Sequence, residues 1–301
     1  MPPHSAAAPG KEGGMQQNTV IAILEEEAPP AFAADWDKSG IQVASARPDV
    51  THLAVSLDPT PDAVADAAAA GADMLLTHHP LTLRPRYPDT LDVYQRALSL
   101  LLCHDMPLYA AHTTLDANPA GPAAWLPDEL NLRRRELLEV TGVLRRADGT
   151  ELTGGFGCVG DLPAPLALPD LVKKLAALLP LDRCNTVARL IGDAPALIRR
   201  VAVCTGSGAQ LADRARALGA DLYITGDVKY HDALDLVSRN RLPSGAAFAV
   251  LDVGHFALEE EMTRRLALNL TRRLPDLRVS FLPRRDPFCP FSLPEVPEVL
   301  S

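Results

Sequence analysis

No apolar run in this chain approaches the roughly 20 residues that a membrane-spanning helix needs, and the best stretch, Ala97 to Cys103, is far too short. The sequence also lacks the apolar core of a secretory leader. Residues 1–17 are Pro, Gly and Ala rich and are expected to form a disordered tail, with Met15 as an alternative start. Cysteine pairing is missing as well. The five cysteines, at 103, 158, 184, 204 and 289, form no C-x-x-C step, which fits reduced thiols and a cytoplasmic setting better than a disulfide framework. Positive charge is short too: the net charge of -9 argues against a general affinity for nucleic acid. The basic pairs Arg199-Arg200 and Arg272-Arg273 read as solvated faces or interface contacts.

What is present suits two ordinary domains. The 301 residues, 47% hydrophobic and 22% charged, have the composition of a globular protein able to bury a substantial core. Two stretches repeat each other. Val50 to Pro80 aligns without a gap on Ile198 to Val228, each reading as buried strand, small-residue helix, Gly-Ala-Asp, and buried strand ending in Thr. Downstream, one strand ends at His112-Thr-Thr-Leu-Asp116 and its counterpart at His255-Phe-Ala-Leu-Glu259. The expected fold is therefore α/β: two related domains from an internal duplication, with parallel strands and a metal site at the strand C-terminal ends between them. The expected division is an α/β domain over 18–130, onto which about 255–301 packs back, and a second over 131–254.

Within the intermediate region 119–197, Asn131 to Leu138 reads as a basic helix, Gly154 to Gly157 as a turn, and Pro169 to Leu179 as a Pro-started helix. Glu259 to Leu274 reads as an amphipathic helix and Arg278 to Leu282 as a final strand. His52 and His104 have no partner spacing that suggests chemistry.

His78, His79, Asp116, His255 and Glu259 fall at equivalent strand ends. Imidazole mixed with carboxylate suits zinc, iron, manganese or cobalt rather than calcium or magnesium. Five ligands exceed the three of a mononuclear catalytic zinc site, so two divalent ions per chain are the economical reading. Two such ions activate water for hydrolysis. His112, Asp227 and His231 lie around this set, with His231 and His112 the candidate acid/base residues. Gly206-Ser207-Gly208 follows a strand and precedes a helix, and reads either as a backbone cradle for a substrate anion or as a tight turn.

The ordered motifs Trp36-Asp37-x-x-Gly40, Thr77-His78-His79-Pro80, His112-x-x-Leu115-Asp116, Gly206-Ser207-Gly208, Thr225-Gly226-Asp227-x-x-x-His231, Gly254-His255-x-x-x-Glu259 and Asp286-Pro287-Phe288 resemble those of the Nif-three-like dinuclear metal-centre family. Bacterial members of that family are labelled GTP cyclohydrolase I type 2 homologues. The resemblance covers roughly residues 18–290 and places the family's two-metal site on the same five residues. It implies a toroidal homohexamer with metal sites facing an internal cavity. It also implies a metal-dependent hydrolase acting on a nucleotide-like or phosphorylated small molecule. The alternatives left open are a non-catalytic metal-binding or regulatory ring and a nucleic-acid-binding ring. Where many relatives carry a Gly-x-Asn step after the aspartate, this chain has Gly121-Pro122-Ala123-Ala124-Trp125.

Overall fold

The computed structural model describes residues 14–146, 148–180, 188–241 and 247–288. Cys184, Cys289 and positions 1–13 of the expected tail lie outside the described residues. In chain order the elements are β1 (Met15–Gln16), α1 (Gln17–Glu27), β2 (Gly40–Val43), β3 (Asp49–Val50), β4 (His52–Ser56), α2 (Pro61–Ala69), β5 (Met74–Thr77), α3 (Val93–Cys103), β6 (Leu108–Ala110) and α4 (Thr113–Asp116). They continue with α5 (Trp125–Glu129), β7 (Arg133–Arg145), β8 (Glu151–Leu166), α6 (Leu168–Ala176), β9 (Arg189–Gly192), β10 (Ile198–Ser207), α7 (Ala212–Ala217), β11 (Leu222–Gly226), α8 (Tyr230–Asn240), β12 (Ala249–Asp252), α9 (His255–Arg273) and β13 (Arg278–Phe281).

The described chain divides into two compact units. The first holds 14–124, Val140–Gly155 and Met262–Pro283; the second holds the described residues of Trp125–Glu139, Phe156–Glu261 and 284–288. Val140–Gly155 thus groups with the first unit, and α9 is shared, its first turns belonging to the second unit and its later turns to the first. Residues 15–17, expected as the end of the tail, are part of regular elements. Met15 and Gln16 pair antiparallel with Val50 and Asp49, and Gln17 already opens α1.

In the first unit a five-stranded sheet runs β13-β4-β5-β6-β2. β13, β4, β5 and β6 are parallel, and β2 closes the edge antiparallel to β6. β4, β5 and β6 are buried along their whole length, as strands covered on both faces must be. Local chemistry starts the helices. Thr60 caps α2 through Ala63 N–H with Pro61 at its first position, and Asp92 caps α3 through Gln95 N–H. Val43, Ala54, Val64, Ala67, Leu75, Leu101 and Leu108 pack into one core. Buried His52 accounts for itself here, with Nε2 2.8 Å from Ser280 Oγ across the β4–β13 pair.

In the second unit a six-stranded sheet runs β7-β8-β10-β11-β12-β9. Only β10, β11 and β12 are parallel; β8 and β9 flank them antiparallel. Two expectations are corrected here. The segment expected as a basic helix over 131–138 is mostly the start of β7, and Gly154 to Gly157 lies inside β8 rather than in a turn. Those glycines serve close approach. A Cβ on Gly154 would stand 2.3 Å from the Phe32 ring, and one on Gly157 2.8 Å from the Val203 carbonyl oxygen. Leu138, Val159, Ala202, Tyr223, Phe248 and Val250 form this unit's core. Cys103, Cys158 and Cys204 form no disulfide, and burial pushes the Cys158 thiol up to about 11. No helix among the described residues is long and apolar enough to cross a membrane.

The Gly-Ala-Asp steps do the same job in each unit. Gly71 and Gly219 end their helices at φ +74° and +78°, where a glycine carries no steric penalty. Asp73 Oδ2 then accepts from Thr51 and His52 N–H, and Asp221 Oδ2 accepts from Arg199 and Arg200 N–H. Burial opposes the Asp73 charge, but the Thr51 hydroxyl, the two amides and Arg47 outweigh it and lower its pKa. A depressed folded-state pKa contributes stability above the unfolded carboxylate value of about 3.9, and that contribution is lost as pH falls through the folded value. Asp73→Ala is expected to cost about 1–3 kcal/mol near neutrality, toward the lower end because solvent screens the pair with Arg47. Urea melts taken across the acid range should show the difference from the unsubstituted chain shrinking below about pH 4.

Candidate metal centre

Two histidines in succession would face opposite sides of a regular strand. At the end of β5 the chain turns instead, held by the Thr77 hydroxyl donating to the His79 carbonyl at 2.7 Å. The His78 and His79 ring centroids therefore stand 4.9 Å apart. His112, just beyond β6, brings a third ring to 5.3 Å from His78 and 5.7 Å from His79.

Each of these rings is oriented through Nδ1. His78, fully buried, has Nδ1 2.9 Å from the Ala111 carbonyl. His79 Nδ1 lies 2.7 Å from Asp58 Oδ1, and His112 Nδ1 lies 2.7 Å from Asp37 Oδ1. A carbonyl or a carboxylate only accepts, so Nδ1 donates in all three and the neutral ring keeps its lone pair on Nε2. Ligand-type atoms of His78, His79 and His112 lie within 4.8 Å of one another. Asp116, on α4, adds Oδ1 at 3.7 Å from His78 Nε2.

Asp37 fixes the loop beneath His112. Its Oδ1 accepts from Lys38 N–H as well as from the ring, and its Oδ2 accepts from the Ser39 hydroxyl and from both the amide and the hydroxyl of Thr113. Burial works against this carboxylate. The bonds from His112, Ser39 and Thr113 outweigh that cost and hold its pKa well below the usual carboxylate range.

The second unit carries a further donor group. His255 opens α9 and Glu259 sits four residues on, on the same helix face, with His255 Nε2 2.7 Å from Glu259 Oε2. His255 Nδ1 lies 2.7 Å from Asp227 Oδ2. Burial disfavours the imidazolium, yet Glu259 and Asp227 together override it and raise His255 to about 9. Gly206 makes room for the carboxylate: a Cβ there would stand 2.1 Å from Glu259 Oε1.

The expectations fare differently residue by residue. His78, His79 and Asp116 come together in one unit, and His255 and Glu259 in the other. His112, expected as a candidate acid/base residue, groups with the two strand-end histidines, so that its ring also stands among atoms that could hold a metal ion. His231 is exposed at the start of α8, with its ring edge against Tyr230 at 5.3 Å. At Gly206-Ser207-Gly208, expected as either an anion cradle or a tight turn, one of the three amides is already engaged. Gly208 N–H is spent on Thr225 Oγ1 and the Gly208 carbonyl accepts the Tyr223 hydroxyl. Asp58 escaped the sequence reading, although a signal was there. Ser56 and Thr77 are register partners on parallel strands, so Asp58 and His79, each two residues farther on, emerge side by side.

The family model described as Duf34/NIF3 (NGG1p interacting factor 3) matches residues 15–287. The chain belongs to this family. Among its relatives, a protein of Clostridium perfringens named "GTP cyclohydrolase 1 type 2 homolog" is 28% identical over 92% of this chain and 99% of its own length. One of the same name from Streptomyces coelicolor is 32% identical over 80% of both. The crystal structure of a Bacillus cereus protein related to NIF3 superposes with a TM-score of 0.75, covering 93% of this chain and 99% of that one at 21% identity, a likeness of fold.

For this Duf34/NIF3 member the donor chemistry fits a borderline divalent ion. Imidazole nitrogens backed by carboxylate or carbonyl acceptors are the arrangement that metal-binding histidines adopt, because the acceptor fixes the tautomer and raises ligand basicity. All-oxygen shells of the calcium or magnesium kind do not match it.

Proposed function

We propose that this protein is a dinuclear metal-dependent hydrolase acting on a nucleotide-like or phosphorylated small molecule. The observation that carries this reading is the triplet His78, His79 and His112, each with Nδ1 tied to an oxygen acceptor and their ligand atoms within 4.8 Å. In this reading His78, His79, His112 and Asp116 of the first unit, and His255 and Glu259 of the second, are the ligands of two ions per chain of the zinc, iron, manganese or cobalt type. When bound, such a pair supplies Lewis acidity and a water of lowered pKa. Asp58, Asp37 and Asp227 keep the imidazoles in one tautomer and one orientation, and His231 carries protons at the exposed start of α8. The two α/β halves, products of a duplication in this proposal, assemble in multiple copies into a closed ring, a hexamer, in the cytoplasm.

The deciding experiment is a hydrolysis screen of nucleotides, phosphoesters and cyclic amides, comparing the metal-loaded protein with its Glu259→Ala variant. A turnover that falls by orders of magnitude in the variant supports the hydrolase. Should no substrate turn over in any metal form, the protein is a non-catalytic metal-binding member of the family.

Gly206 offers a gentler probe of the same centre. Alanine at 206 must displace the Glu259 carboxylate, the flexible partner in the clash. We expect metal affinity to drop at least about tenfold, as when the support of a ligand is lost. Stability should fall by about 1–2 kcal/mol, for a side chain held at positive φ. Metal titration alongside thermal melts separates the two effects.

A further inference from the structure

We propose that Trp36 is a stacking platform for a planar heteroaromatic ring, so that the ligand of the His78, His79 and His112 cluster carries a nucleobase-like group. This rests on the hydrolase reading for its site but names which part of the substrate this loop recognises.

The chain has two tryptophans, and they are treated oppositely. Trp125 is buried at 2% exposure, whereas Trp36 leaves 57% of its surface to solvent. Large aromatic side chains are mostly buried on average, so one left open at a donor cluster calls for an explanation. Trp36 meets the cluster directly, its ring centroid 5.7 Å from that of His112 in an edge-on arrangement, at 73° between planes.

The loop that carries it is fixed on both sides. Ala34 N–H donates to Thr113 Oγ1 at 3.1 Å, and Asp37 N–H donates to the Ala34 carbonyl at 2.9 Å. On the other side the Asp37 carboxylate takes its five donors, His112 among them. The indole is thus exposed yet anchored next to a ring of the cluster. A preorganised aromatic face binds planar rings without the ordering cost that a mobile side chain imposes. Stacking on such a face is tolerant of which base is offered, so the class recognised is the planar heterocycle rather than one base.

The test uses the metal-loaded full chain with guanosine monophosphate and adenosine monophosphate as planar probes and ribose 5-phosphate as the probe lacking a ring. Calorimetric titration, tryptophan emission, metal content and light scattering are read on the unsubstituted protein, Trp36→Ala and Trp36→Phe. Both nucleotides should bind more tightly than ribose 5-phosphate and quench the exposed indole. Trp36→Ala should weaken nucleotide binding roughly 5- to 150-fold while leaving ribose 5-phosphate affinity and metal content unchanged. Trp36→Phe should keep most of the nucleotide affinity.

A Trp36→Ala variant that loses both kinds of probe equally, or loses metal, makes Trp36 a structural support of His112 and overturns the proposal. So does one that changes only the oligomeric state, which makes Trp36 an interface residue. If phosphoesters turn over while nucleotides and ribose 5-phosphate bind alike, stacking fails and the hydrolase stands. If Trp36-dependent nucleotide binding occurs without any turnover, stacking stands and the hydrolase fails.

Discussion

Asparagine at position 37 is expected to destabilise the protein by about 3 kcal/mol and to weaken metal binding by about 10- to 100-fold. The size follows from the number of donors aimed at one buried carboxylate. Lys38 N–H and His112 Nδ1 reach Oδ1 at 2.6 and 2.7 Å, while the Ser39 hydroxyl, Thr113 N–H and Thr113 hydroxyl reach Oδ2 at 2.6, 3.1 and 2.5 Å. An amide of the same shape accepts at one position only. Its NH2 must face two or three present donors wherever it points; an N–H so faced loses its bond outright, and the hydroxyls of Ser39 and Thr113 must turn from donating to accepting. The damage then spreads, since Ser39 Oγ also accepts His112 N–H at 3.1 Å and the Thr114 hydroxyl at 3.2 Å. Urea denaturation and metal titration of Asp37→Asn check both effects. A variant as stable and as tight for metal as the unsubstituted protein would remove Asp37 from its role as the anchor of His112.

The candidate ligands could be named from sequence because chemistry concentrates where parallel strands end, and the repeated His-x-x-x-carboxylate step marks those ends. Their anchors were harder to see. Asp37 reaches His112 across 75 positions of sequence, a pairing that only the folded loop creates. Asp58 was accessible in principle through the β4–β5 register but needed the register first. The misread elements have local causes. Arg133 to Leu138 combines good helix formers with charge, yet the segment pairs beside β8 as a strand; pairing partners decide strand formation more than propensity does. Gly154 and Gly157 carry a turn-like composition for a packing reason, the approach of Phe32 and of the Val203 carbonyl. The antiparallel additions β2, β8 and β9 were invisible to a reading that saw only repeated parallel units.

The largest effect on the centre is expected from His78→Ala combined with His79→Ala, which should abolish most metal occupancy. These two rings supply adjacent nitrogens from a single strand end, so losing both leaves no ligand from β5 to replace them. His52→Ala is the matching control. It removes a buried histidine from the same sheet, bonded to Ser280, and should cost stability without releasing metal. Elemental analysis of the saturated, desalted proteins decides between the outcomes. The account predicts about two transition-metal ions per chain in the unsubstituted protein and in His52→Ala, with fewer than one remaining in the double variant. One ion or none in the unsubstituted protein at saturation, or two retained by the double variant, would contradict it.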